Sequence, residues 1–354
     1  MSVSSQRFVA GLASVRLSRW VGCVVVLAVG LFHESPKVNA RVVQETRFAL
    51  GTSVTVMYID KNKKPEIVLE AAFSEIRRLE RLLSTYRNDS QVTYLNRNGS
   101  ITGELCDLKE VLRQSLRFSL LSNGAFDVTV KPLIDLYRTS DLKTRKRPTN
   151  EEIMNAIELV GHRGIMIDEH KIAFEKPGMG VNLDGIAKGY IIDRAIEVLL
   201  HNGITRAYVN AGGDIRVIGQ RDHNDPWRVA LQHPRHEDDF IAIVYLNDQA
   251  IATSGDYTLY FFSDRRLHHI VDPRTGLPTS GLISATVVTD RAMHADALAT
   301  SVFVLGPVQG AELIEGLPKT EALMITDTRE MLLSSGFEKF ASISQCVNVA
   351  DRSK

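Results

Sequence analysis

Between Ala207 and Val288 the chain reads as a series of short strand-like runs. They are Ala207–Asn210, Ile215–Ile218, Arg228–Leu231, Ile241–Leu246, Tyr257–Phe262, His268–Val271 and Ser284–Val288. Strands this short are stable only when several pair into a sheet with a hydrophobic face. Helical periodicity flanks them on both sides. Pro65 opens a pattern through Val68, Ala72, Ile76, Leu79 and Leu83 that ends near Tyr86. Asp107 and Glu110 resemble a capping arrangement for a helix reaching Ser122, closed by Asn123-Gly124. Further helices are expected over Asn150 to Val160, from Arg291 to about Leu305, and from Val308. Ile165–Ile167 and Lys171–Phe174 read as a hairpin, and Arg47 to Ile59 as a strand interrupted at Gly51-Thr52. Arg138 to Pro148, basic and without apolar periodicity after Leu142, reads as a surface loop. The expectation is one compact α+β domain over residues 41–354, with mixed or antiparallel sheets and flanking helices.

Residues 1–40 stand apart from that domain. Arg7, Arg16 and Arg19 precede an apolar run from Val21 to Phe32, and Val38-Asn39-Ala40 offers small residues for cleavage. This is the layout of a secretory signal peptide. The apolar run falls short of the roughly 20 residues that span a bilayer. Cys23 lies inside it, a poor place for lipid attachment, so export with cleavage near Ala40 is expected rather than a retained anchor. Removing the leader takes away four basic residues and one acidic, leaving 38 basic against 41 acidic. A mature chain with that balance and no basic stripe is no nucleic-acid binder. It keeps only Cys106 and Cys346, too few for a disulfide framework and without metal-ligand spacing; two separately buried thiols are expected.

The stretch most suggestive of chemistry is Val181 to Tyr190, Val-Asn-Leu-Asp-Gly-Ile-Ala-Lys-Gly-Tyr. A short apolar strand, Val181 to Leu183, is expected to meet a helix capped by Asp184. Lys188 then stands in the first turn, where a cation opposes the helix dipole. An anion such as phosphate on the same helix end would offset that cost. An ordinary helix with an exposed lysine is the alternative. Asp296 and Thr300 are spaced to share one face of the helix that follows Arg291. A carboxylate and a hydroxyl there suit a hard cation such as magnesium; a solvated polar stripe would look the same. His268-His269-Ile-Val-Asp272-Pro273 ends a strand at a sharp turn, where a histidine can act as a base or bind phosphate. Asn210-Ala-Gly212-Gly213-Asp214 and Ser254-Gly255-Asp256-Tyr257 read equally as ligand-approaching turns or plain hairpin turns. There is no phosphate-binding loop with Gly-Lys, no dinucleotide fingerprint, no His-Glu-x-x-His and no Gly-x-Ser-x-Gly.

Taken in order, these pieces resemble the ApbE family of FAD:protein FMN transferases. The matching elements are Leu50-Gly-Thr52, Ser84-Thr-Tyr-Arg87, Gly124-Ala-Phe-Asp-Val-Thr-Val130 and Asn182-Leu-Asp-Gly-Ile-Ala-Lys-Gly189. They continue with Asn210-Ala-Gly-Gly-Asp-Ile-Arg216, Thr253-Ser-Gly-Asp-Tyr257, His269-Ile-Val-Asp-Pro273 and Ala295-Asp-Ala-Leu-Ala-Thr300. The resemblance runs from about residue 45 to 340 and implies a single ApbE-like, T-fold-like domain. It implies that Leu50, Tyr86, Ala125, Phe126, Asp127, Asn182, Lys188 and Val271 belong to the FAD site, with Tyr86 bordering the flavin. It places magnesium on the Gly185 carbonyl, Asp296 and Thr300, and gives His269, with Asp296, the transfer step. Leu50 stands where methionine is common, and Asn182 where aspartate is common. The implied reaction moves FMN from FAD to a Thr or Ser hydroxyl of an exported or membrane redox protein, with AMP leaving. The alternatives are an FAD pyrophosphatase, with water as nucleophile, and a flavin-binding carrier without turnover.

Overall fold

The computed structural model describes residues 41–60, 65–143, 147–222, 224–257, 261 and 268–343. The expected leader, Cys346 and most of the Tyr257–Phe262 run lie outside the described residues.

The first strand pattern is two strands rather than one interrupted strand. β1 (Arg41–Ala49) and β2 (Thr52–Asp60) pair antiparallel from Ala49↔Thr52 outward. Leu50 (φ 56°) and Gly51 (φ 71°) form the two-residue turn, whose left-handed backbone matches the twist of the strands. Leucine is costly there. Its N–H is held by Glu80 Oε1 at 2.8 Å, from α1 (Pro65–Leu83). That helix buries Val68, Leu69, Ala72, Phe73, Ile76, Leu79 and Leu83 and stops short of Tyr86.

Next come α2 (Gln91–Asn98), which the sequence reading missed, β3 (Ser100–Thr102) and α3 (Cys106–Leu121). α3 has no side-chain cap. Asp107 instead pairs with Arg78 at 2.8 Å and accepts the Tyr190 hydroxyl at 2.8 Å. Cys106, expected to be buried, opens this helix and is exposed. The supposed basic loop is in large part α4 (Lys131–Lys143), followed by α5 (Asn150–Ile157) with a Thr149/Glu152 capping box. β4 (Ile165–Ile167) and β5 (Lys171–Phe174) make the expected hairpin, with β3 completing a small sheet. Then follow α6 (Ala187–His201), β6 (Ala207–Ala211), β7 (Asp214–Ile218), β8 (Trp227–His233), β9 (His236–Leu246), β10 (Ala250–Gly255) and β11 (Leu282–Thr289). α7 (Ala292–Glu315), β12 (Glu321–Thr326), β13 (Met331–Leu333) and β14 (Ala341–Ile343) complete the described residues. α7 breaks at Gly306 (φ 78°, ψ −176°) before Pro307, so its two halves match the two helices expected there. His268–Val271 makes only isolated bridges, Val271 pairing with Pro278, and is not a strand.

Among the described residues the main sheet has eight strands in the order β1-β2-β6-β7-β10-β11-β12-β13, with every neighbour antiparallel. Side chains alternate between its faces. Val209, Ala285 and Val287 face the helices with α6 and α7 in the larger core. Tyr208, Ile215, Val217, Ile283 and Val288 face the sheet β14-β9-β8 in a second core. All eight residues of β11 are buried, as a strand covered on both faces requires. A third cluster of Leu133, Tyr137, Ile153, Phe261 and Val271 packs α4 and α5 onto the turn after His269.

Candidate active site

The expected strand over Val181–Leu183 does not form; the segment is irregular and outside any sheet. Asn96 takes the place of a neighbouring strand: its Oδ1 accepts the Val181 N–H at 2.7 Å and its Nδ2 donates to the Val181 carbonyl at 2.9 Å. The Asn182 N–H then donates to the Val128 carbonyl at 2.7 Å. This segment turns through Asp184, Gly185 and Ile186 into α6, whose N-cap is Ile186 and carries no side-chain cap. Asp184 is therefore not the helix cap. Its Oδ2 accepts the Tyr86 hydroxyl at 2.9 Å and the Asn182 Nδ2 at 3.1 Å, and its Oδ1 accepts the Thr85 hydroxyl at 3.2 Å. The departure at Asn182 fits this arrangement, because an aspartate there would set a second carboxylate against Asp184.

α6 and α7 touch backbone to backbone. A Cβ on Gly189 would lie 2.3 Å from the Ala292 carbonyl oxygen, so only glycine permits the contact. The Gly189 N–H donates to Asp296 Oδ2 at 3.0 Å. One turn along α7, Thr300 Oγ1 lies 3.1 Å from Ser254 Oγ on β10 and 2.9 Å from where a Gly185 Cβ would stand. Gly185, Asp296 and Thr300 therefore converge. Lys188, in the first turn of α6, pairs with the buried Asp214 at 2.9 Å. Asp214 is set by the β6–β7 turn, where Gly212 and Gly213 take left-handed backbone and the Gly213 N–H donates to Asn210 Oδ1 at 2.9 Å.

The electrostatics follow from burial. Desolvation, reinforced by Asp214 and only partly opposed by Lys188, pushes the Asp296 carboxyl well above the usual carboxylate range. Burial pulls Lys188 down, but Asp214 and Asp296 outweigh it and hold the ammonium charged. Two buried carboxylates thus share one lysine, and a divalent cation beside Asp296 would relieve the imbalance. The donor set of one carboxylate, one hydroxyl and one carbonyl suits magnesium, which keeps waters or phosphate oxygens in its other positions. Among the described residues no three of His, Cys, Asp and Glu cluster as metal ligands, so this mixed oxygen set is the available cation site.

These residues line one open cleft enclosing about 1050 Å³, including solvent at its mouth. Tyr86, Ala125, Phe126, Asp127, Asn182, Gly185, Lys188, His269, Val271, Asp296 and Thr300 all line it. Leu50 is the exception among the expected site residues: it sits in the β1–β2 turn and does not line the cleft. Asp127 is anchored by the Thr129 N–H and hydroxyl and by the His162 N–H, at 2.8, 2.6 and 2.8 Å. Three charged wall residues were missed by the sequence reading. Asp214 read as a turn residue and Asp184 as a cap. Arg138 read as loop, yet it lies on α4 with its guanidinium 5.9 Å from the Tyr86 ring centre. Val130, Ile134 and Arg138 all line the cleft. Their spacing of four was the available signal, obscured by the run of basic residues around it.

A sequence profile of the ApbE family matches residues 50–324. A Vibrio cholerae protein named FAD:protein FMN transferase is 32% identical over 306 residues, spanning 83% of this chain and 89% of its own. Its Escherichia coli K12 namesake is 32% identical over 273 residues, with 74% and 78% covered. Among solved structures, the ApbE protein of Thermotoga maritima superposes with a TM-score of 0.77 at 32% identity, over 85% of this chain and 99% of its own. The Vibrio cholerae flavin transferase ApbE gives 0.76 at 29% identity, over the same shares.

Proposed function

This chain belongs to the ApbE family and is an FAD:protein FMN transferase; we propose that it moves FMN from FAD to a threonine or serine hydroxyl, with magnesium, releasing AMP. The observation that carries this reading is the convergence of Gly185, Asp296 and Thr300 beside Lys188 in one cleft. The acceptor oxygen forms a bond to the FMN-side phosphorus, and the bond from that phosphorus to the bridging oxygen breaks. AMP leaves with that oxygen and its electron pair. His269 takes the hydroxyl proton and passes it to solvent. Asp296, Thr300 and the Gly185 carbonyl would hold the metal, which when bound neutralises charge on the pyrophosphate and the departing oxygen. Lys188 and the amides at the start of α6 add fixed positive potential where that charge develops. Phe126, Val130 and Ile134 supply an apolar wall for a ring system, with Tyr86 and Arg138 at its rim.

Residues 1–40 support export before this chemistry, so the acceptor is an exported or membrane-bound redox protein. N-terminal sequencing of exported protein should start at Arg41. Incubation with FAD, magnesium and a threonine-bearing acceptor tests the reaction itself. Transfer leaves the acceptor fluorescent after denaturation, with AMP formed in equal amount. FMN and AMP released into solution, with the acceptor unlabelled, would assign the same cleft to FAD hydrolysis instead.

A further inference from the structure

α7 carries both side chains assigned to the metal, yet its own N-cap residue, Arg291, makes no side-chain cap. The first amides of the helix are satisfied from another element. Asp193, in the middle of α6 and 2% exposed, accepts the Ala292 N–H on Oδ1 at 2.9 Å and the Met293 N–H on Oδ2 at 3.1 Å. Its Oδ1 also accepts from Arg216 of β7 at 2.8 Å. One buried carboxylate therefore ties together the three elements that bring Lys188, Asp214 and Asp296 to the cleft. A carboxylate at a helix start is favoured by the exposed amides and the dipole there. The tie lies one turn before Asp296, and the Gly189–Ala292 contact leaves no slack between the helices.

We propose that Asp193 is a positioning residue for the metal-binding face, fixing α7 against α6 so that Asp296 and Thr300 meet the Gly185 carbonyl. Asp193 touches neither substrate nor metal. Its action runs through the first turn of α7. This inference rests on the metal reading given above. Removing outer partners that orient metal ligands weakens affinity by about 10- to 100-fold.

The test is binding of Mn2+ alone, without FAD, followed by electron paramagnetic resonance on the whole folded protein. Asp193→Asn keeps the shape but loses the charge and turns an amide group toward the Arg216 and main-chain donors. Its Mn2+ dissociation constant should rise about tenfold or more. Leu323→Ala, in the core between the two sheets, controls for lost stability and should leave Mn2+ affinity unchanged. Should Asp193→Asn fail to fold, hydrogen exchange on the wild-type chain decides. Mn2+ should slow exchange of the Ala292 and Met293 amides if the tie and the metal are coupled. Unchanged Mn2+ affinity in folded Asp193→Asn, or unchanged exchange at those amides, overturns the proposal while leaving the metal reading intact. A wild-type chain that binds no Mn2+ overturns both.

Discussion

The two long walls of the cleft are built differently. The α6–α7 wall rises from the largest core, with helix backbones in contact at Gly189 and Ala292 and the polar groups fixed by Asp193, Asp214 and Gly189. The opposite wall, from α4 with α5 packed behind it, rests on a small satellite cluster around Leu133, Tyr137 and Ile153. It is joined to the His269 turn by the Tyr137 hydroxyl, which donates to the Gly276 carbonyl at 2.9 Å. The first wall can therefore hold charge at fixed positions, as stabilising a pyrophosphate demands. The second presents a ring-sized apolar surface with a lighter attachment, suited to admitting and releasing a large substrate.

Substitutions that strike one wall should leave the function of the other largely in place. Gly189→Ala carries the largest expected effect, because its methyl meets backbone that cannot yield. It should cost about 1–3 kcal/mol or more in thermal unfolding and weaken Mn2+ binding with it. Tyr137→Phe removes one buried hydrogen bond from the satellite wall, worth about 1 kcal/mol. It should raise KM for FAD while Mn2+ affinity stays unchanged; parallel loss of both would erase the distinction between the walls. Arg138→Ala removes a rim cation over Tyr86, an interaction of about 0.5–1 kcal/mol. Fluorescence titration should show FAD affinity weakened by no more than about fivefold, the most that energy can pass on to binding through the placement of Tyr86.

The smallest effect is a pH dependence beside the His269 turn. Burial pulls the His268 imidazole below its ordinary value, with Nε2–H donating to the Thr279 carbonyl at 3.0 Å. A depressed imidazole pKa favours the fold above the unfolded value, about 6.5, and that contribution is lost as pH falls through the folded value. His268→Gln retains a donor and should flatten the loss of melting temperature between about pH 7 and pH 5. An unchanged slope would mean that His268 does not carry it.

The same division governs what could be read from sequence. The helix spans of α1, α5, α6 and α7, and the strand runs of β6, β7, β8, β9 and β11, follow from local periodicity and were legible. So were Asp296 and Thr300, because helical spacing alone puts them on one face. What failed depended on partners distant in the chain. Asp184 has a good capping side chain, but Tyr86, Thr85 and Asn182 claim it. Val181 to Leu183 has a strand's composition, yet its partner is the Asn96 side chain rather than another strand. Gly51-Thr52 interrupts the first strand pattern because a turn sends the chain back, a reversal that pairing with β6 then fixes. Arg138 was lost because basic residues on a partly exposed helix look like a loop when its apolar face packs on only a small cluster.

Asp296 tests the account most directly, since the rigid wall exists to present it. Asp296→Ala should abolish labelling of a threonine-bearing acceptor by FAD, measured as the FMN mass added to the acceptor. Chelation of divalent metal should abolish labelling by the wild-type chain in the same assay. Full labelling by Asp296→Ala in metal-free buffer would contradict the account.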